Sequence, residues 1–277
     1  MQAKVLGPLS VIHHGTPVVP TARKQRKVLS LLLLNDSRTV TAATLMTELW
    51  ADQPPKSALT VVQTYILDLR RLFAHSMGLT TAEVAQSVLR TCNGGYAIDL
   101  SAGDLDLHEF RRWMFAGDQA RAAHDDHAAV AAYRNALDQW DGPVLLDVDH
   151  GPLIEAEVAR LEQSRLTVTE RMIEAELRLG HHQDALSELA ALVLQNPFHE
   201  GLHAHFMLAL YRSGNRKRSL EVFNRLRSSL ISELGLEPAP KLQRLHLAIL
   251  TAEPGLDAPM PSHSSLDLLP LTGKLAG

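Results

Sequence analysis

The sequence predicts a mainly α-helical chain in two parts: short strands and three helices closed by a β-hairpin, then an all-α array of paired helices. Three observations carry this. Between Lys56 and Ala74, Leu59, Val62, Ile66, Leu69 and Phe73 recur at alternating steps of three and four, which places them on one side of a helix. Two β-rich runs, Val88–Thr91 and Tyr96–Leu100, flank Asn93-Gly94-Gly95, a hairpin signal. Beyond residue 105, Leu179–Leu186 is echoed by Ser213–Leu220, with Gly180 and Gly214 34 residues apart. That is the period of helix-pair repeats.

In chain order, Val5, Leu9, Val11, Val18 and Val19 around His13-His14-Gly15-Thr16 predict two or three short antiparallel strands. A helix is expected near 21–34, with Arg23, Lys24, Arg26 and Lys27 crowding its first two turns. Cations there oppose the helix dipole, a cost that an external anion such as a phosphate would offset. Thr41 is an N-cap candidate for a helix over 42–50 that buries Leu45, Leu49 and Trp50, and Pro54-Pro55 stops it. The third helix, 56–74, turns Ser57, Thr60, Thr64, Asp68 and Arg71 outward, with Gln63 and Arg70 on a flank. A polar, helix-compatible stretch over 77–86 precedes the hairpin.

Strands, three helices and a terminal hairpin, in that order, describe a winged helix-turn-helix with an extra N-terminal sheet. The third helix of such a fold enters the major groove of DNA, and the hairpin wing reaches a neighbouring backbone or minor groove. Short hydroxyl, amide and arginine side chains suit base edges and phosphates. The candidate DNA-binding residues are therefore Arg23, Lys24, Lys27, Lys56, Ser57, Thr60, Gln63, Thr64, Asp68, Arg70, Arg71, Arg90 and Asn93. Charge agrees: residues 1–100 carry +4, and the remainder −8, so the basic part is the one suited to a polyanion.

From Leu105 onward, helices are expected near 106–123, 125–139, 153–179, 182–195, 198–213, 215–233 and 238–251. A weaker echo of the repeat, Ala128-Ala129-Val130, lies 56 residues before Asp184-Ala185-Leu186. The organisation expected is a DNA-binding domain over 1–100, a tetratricopeptide-like domain over 105–252 and a flexible Pro-, Gly- and Ser-rich tail over 253–277.

Composition narrows the function classes. One cysteine permits no intrachain disulfide, and no apolar run approaches the ~20 residues of a membrane span. A soluble, cytoplasmic protein without membrane contact is expected. No catalytic Ser/His/Asp set, Cys-x-x-Cys pair or phosphate-binding glycine loop is evident, and Gly273-Lys274 lacks the rest of a nucleotide-binding loop. No cofactor is expected. His199-Glu200-Gly201-Leu202-His203 matches the H-E-x-x-H pattern of zinc hydrolases. Gly201 weakens the helix that the pattern needs, so this is an alternative, beside a protein-interaction adaptor built on the repeats.

Several blocks resemble one family. Arg23–Leu34, Leu45–Pro55 ending in Trp-x-x-x-Pro-Pro, Val62–Ile66 with Leu69-Arg70-Arg71, and Gly95-Tyr96 are similar to the DNA-binding domain of the Streptomyces antibiotic regulatory proteins. Leu105–Phe110, Asn196-Pro197, Glu200, Ala209–Gly214 and Glu233–Pro238 resemble that family's bacterial transcriptional activator domain. The resemblance implies an activator of a secondary-metabolite gene cluster. It implies binding to direct repeats beside the promoter −35 element, with two copies of the chain side by side, and recruitment of RNA polymerase holoenzyme through its sigma factor. Leu67 and Asp68 stand where members usually carry a basic or small polar pair. Asp68 has two roles open to it: accepting from a cytosine amino group, or pairing with Arg71.

Overall fold

The computed structural model describes residues 1–36, 38–100 and 105–257. Contacts divide the chain into two compact units, 1–118 with 132–169, and 119–131 with 170 onward.

The first unit opens with an antiparallel sheet of β1 (Gln2–Lys4), β2 (Ser10–His13) and β3 (Thr16–Pro17), in that order. Helix α1 (Arg23–Leu34) follows; it starts two residues later than expected. Its second half, Val28 to Leu34, is buried throughout, Ser30 included, because valine and five leucines among seven residues leave no polar face. Strand β4 (Val40–Thr41) leads into α2 (Ala42–Trp50), whose N-cap Thr41 accepts from the Thr44 amide. Leu45 and Leu49 are buried as expected. Trp50 is only half-buried, with the Lys24 ammonium 4.9 Å from its ring centroid. The buried neighbour is instead Glu48, at 2% exposure.

Helix α3 (Ala58–Met77) ends at Gly78, whose φ of 65° is the left-handed cap that glycine accommodates. Helix α4 (Thr81–Ser87) is set by a capping box between Thr80 and Glu83. The hairpin of β5 (Leu89–Cys92) and β6 (Gly95–Ile98) pairs Cys92 with Gly95 across Asn93-Gly94. Strand β6 also pairs with β4, giving the order β4-β6-β5. Only glycine fits at 95: a Cβ there would lie 2.2 Å from the Val40 carbonyl oxygen.

Helices α5 (Asp106–Ala122), α6 (Asp126–Leu137) and α7 (Pro152–Arg178) come next. Within the first unit, Asp106 and Glu48 receive backbone N–H groups distant in sequence. The Asp106 carboxylate accepts from Val5, Leu6 and Leu107. The Glu48 carboxylate accepts from Gly151, Leu153 and Ile154 at the start of α7.

The second unit contains α8 (His182–Gln195), α9 (Glu200–Arg212), α10 (Arg216–Ser229) and α11 (Pro240–Thr251). The helix expected over 215–233 changes character partway: from Leu230 to Leu234 it widens to a π-helical turn, and Gly235 closes it. Ile173 and Leu177 of α7, Ala185 and Leu189 of α8, and Phe206, Ala209 and Leu210 of α9 make one apolar cluster. Met207, Phe223, Leu226, Leu230, Leu242 and Ile249 make the next.

The repeat is visible in the backbone. Gly180 and Gly214 both take positive φ, and the amide three residues past each helix end donates five residues back: His181 to Glu176 O, and Asn215 to Leu210 O. The weaker echo obeys the same rule, with His124 at φ 58° and the Asp125 amide bonded to Ala120 O. All three are Schellman-type ends, spaced at the 56 and 34 residues of the sequence echo. The expected tail begins with a 3-10 turn, Pro254–Leu256; 258–277, including Gly273-Lys274, lies outside the described residues, as do Ser37 and 101–104.

Candidate nucleic-acid interface

Helix α3 buries Ala58, Val62, Ile66, Leu69, Phe73 and Ala74. Leu59, expected among them, is 48% exposed: it sits in the first turn at the edge of the apolar arc, and Ala58 occupies the buried position. The exposed side holds Thr60, Gln63, Thr64, Leu67, Arg71 and His75. At ~100° per residue these span one arc opposite the core. Lys56 and Ser57 are exposed immediately before it, and Ser57 makes no side-chain bond to the helix N-terminus. The entry to α3 therefore presents a cation, a hydroxyl and first-turn N–H groups.

Three side chains on α3 are held within the fold. The Thr64 hydroxyl donates to the Thr60 carbonyl at 2.9 Å, so its oxygen faces outward as an acceptor. Asp68 accepts from Gln25 Nε2 of α1 at 3.0 Å and lies 3.4 Å from Arg71 Nη1. Of the two roles open to Asp68, the structure realises the pair with Arg71 and adds a tie to α1 that the sequence did not signal. Arg70 donates Nε and Nη2 to the Leu89 carbonyl at 2.9 and 2.8 Å, and Nη2 to Thr91 Oγ1 at 2.8 Å. It clamps the wing to α3. Burial pulls its pKa below the ordinary value, with the nearby Tyr96 acting in the other sense; an arginine keeps its charge regardless at physiological pH.

Arg70→Ala should loosen the hairpin. Amide exchange at residues 89–98 is expected to accelerate, and stability to fall by about 1–3 kcal/mol as the Leu89 carbonyl loses both donors. Unchanged exchange would mean that Arg70 does not hold the hairpin to the helix.

The wing exposes Asn93 at its tip, and Gly94 adopts φ 78°. Arg90 is paired with Asp99 at 2.9 Å. At the other edge, Arg23 and Lys24 are exposed and Lys27 is half-buried. The N-terminus of α1 has no side-chain cap and no acidic residue in its first turn. Arg26 is ion-paired with Asp147. The candidates thus separate into groups open to a ligand (Arg23, Lys56, Ser57, Thr60, Gln63, Asn93), groups with a partner but still exposed (Lys24, Thr64, Arg71), the half-buried Lys27 and Arg90, the latter paired with Asp99, and Asp68 and Arg70, which brace the fold.

The H-E-x-x-H segment is differently disposed. His199 is the N-cap of α9 and lies outside the helix; its ring accepts from the Leu202 amide and lies 3.4 Å from Glu170. Glu200 accepts from the Ala239 amide at 2.7 Å. His203 is buried with Nδ1 3.1 Å from the His199 carbonyl, and burial lowers its pKa. Among the described residues no group of three or more His, Cys, Asp or Glu is placed to hold a metal ion.

Comparison with known proteins bears on the same two parts. Residues 15–86 match the model of the family described as "Transcriptional regulatory protein, C terminal", and residues 105–250 that of "Bacterial transcriptional activator domain". The chain is 48% identical to the regulatory protein DnrI of Streptomyces peucetius over 257 residues, 93% of this chain and 94% of that one. It is 39% identical to the regulatory protein AfsR of Streptomyces coelicolor over 91% of its own length and 24% of AfsR. The solved structure of Mycobacterium tuberculosis EmbR in complex with low affinity phosphopeptide superposes with a TM-score of 0.83 at 30% identity, covering 94% of this chain and 66% of that one. A winged helix-turn-helix joined to a bacterial transcriptional activator domain, with a full-length relative at this identity, places the chain in the family of Streptomyces antibiotic regulatory proteins, DNA-binding transcriptional activators.

Proposed function

We propose that the chain activates a secondary-metabolite gene cluster by laying α3 in the major groove of duplex promoter DNA. Two copies sit on direct repeats beside the −35 element and recruit RNA polymerase holoenzyme through its sigma factor. Residues 1–100 act as the DNA-binding domain, 105–252 as the activator domain and 253–277 as a tail, and the protein works in the cytoplasm. No described helix is long and apolar enough to cross a membrane. The observation that carries the reading is the solvent-facing stripe Thr60, Gln63, Thr64, Leu67, Arg71 on a helix whose other side is core.

The stripe divides by reach. Thr60, Gln63 and Thr64 lie in the first two turns, where a recognition helix meets base edges. Arg71, further along, meets phosphate. Arg23 and Lys24 flank the groove, where an uncapped helix start favours an anion.

Thr64→Ala in the full chain is expected to change sequence preference at one base pair, by ~1–3 kcal/mol. Arg71→Ala should weaken all duplexes about equally and lower the salt slope by about one unit. Binding of each variant to the promoter duplex and to a scrambled duplex across a salt series decides. Neutral results for both would put the DNA face elsewhere.

A further inference from the structure

We propose that Leu67 is a specificity-determining residue that packs on the 5-methyl group of a thymine in the major groove; this rests on the assignment of α3 as the reading helix. Leu67 is 39% exposed on the outward side of the helix, flanked by Gln63, Thr64 and Arg71 one turn away on either side. At ~100° per residue it falls near the middle of the exposed arc. A leucine there leaves apolar surface open to solvent on the face that the polar stripe occupies.

The surrounding polar groups sharpen the point. Asp68 is bonded to Gln25 and paired with Arg71, Arg70 is committed to the hairpin, and the Thr64 proton goes to the Thr60 carbonyl. The centre of the face is therefore left with an apolar side chain, hydroxyl oxygens and the Gln63 amide. Of the groups that line the major groove, only the thymine methyl is apolar, and glutamine is suited to the adenine edge of the same pair. The chemistry recognised is an A·T pair, with Leu67 on the methyl.

The test uses the full chain and duplexes selected by it from a randomised library. Each thymine of the selected site is replaced in turn by deoxyuridine, which keeps base pairing and deletes only the methyl. One methyl transferred out of water corresponds to about fourfold in affinity, so wild type should lose about that much at one or two positions. Leu67→Ala should bind more weakly and be insensitive to uracil at those positions. Leu59→Ala, also exposed but in the first turn, should keep the wild-type uracil pattern.

A flat uracil scan for wild type, or sensitivity that persists in Leu67→Ala, overturns the proposal. If Leu67→Ala instead lowers cooperativity on a two-site duplex and leaves the uracil pattern intact, the leucine contacts a second copy of the chain and the proposal is wrong. Failure of the underlying reading looks different: no site is enriched, or Thr60→Ala and Arg71→Ala leave binding unchanged.

Discussion

Glu48→Ala is expected to destabilise the first unit by about 3–5 kcal/mol, because it strips the acceptor from three backbone N–H groups at once. The carboxylate receives Gly151 at 2.6 Å, Leu153 at 2.8 Å and Ile154 at 3.1 Å. These are the opening amides of a 27-residue helix, whose positive end adds to the attraction. Nothing else in the helix can satisfy them, since first-turn N–H groups have no intrahelical partner. Glutamine at 48 keeps one acceptor oxygen and should cost less than half as much. Gly151→Ala should also be costly, because its Cβ would fall 2.2 Å from the Glu48 carbonyl oxygen. All three tryptophans, Trp50, Trp113 and Trp140, lie in this unit, so denaturation followed by tryptophan fluorescence reads it selectively. A loss under 1 kcal/mol for Glu48→Ala would mean that water replaces the carboxylate and that the cap is dispensable.

Such residues mark where reading the sequence stops. The helices were legible because their burial is periodic: Val62, Ile66, Leu69 and Phe73 are buried as their spacing requires. The N-cap at Thr41 and the turn at Asn93-Gly94 were legible because their chemistry is local. Leu59 and Trp50 misled, since periodicity gives a direction and not the presence of a neighbour to pack against. Glu48 and Asp106 look like ordinary solvated acids in sequence; the amides that justify burying them are about a hundred residues away. Gln25 carried no signal for the same reason, although it donates to Asp68. The third repeat was faint because His124 occupies the left-handed position that glycine marks in the other two.

Asp106 should give the second large effect, and one that depends on pH. Its carboxylate is buried at the start of α5, bonded to the amides of Val5, Leu6 and Leu107 at 2.8–3.0 Å. Burial raises its pKa above the ordinary 3.8; the three backbone bonds and the Lys4 charge pull the other way without cancelling it. A raised folded value means that the folded chain holds the proton more tightly than the unfolded chain. The contribution is therefore full below 3.8 and is lost as pH rises through the raised value. Over that window Asp106 makes stability fall with rising pH, opposite to the usual paired carboxylate. Asp106→Ala leaves three N–H groups unpaired and is expected to cost about 3–5 kcal/mol. Asp106→Asn removes the titration but keeps one acceptor oxygen and sets its amide against an N–H, so it should cost less than alanine. The diagnostic is the difference in unfolding free energy between wild type and Asp106→Asn, measured by tryptophan fluorescence across the acid range, where the other carboxylates cancel. That difference should shrink as pH rises above 3.8, because wild type must then hold a buried charge that the variant lacks. A difference independent of pH would mean that the three amides cancel the effect of burial, and one that grows with pH would mean that they outweigh it and hold the folded pKa below 3.8.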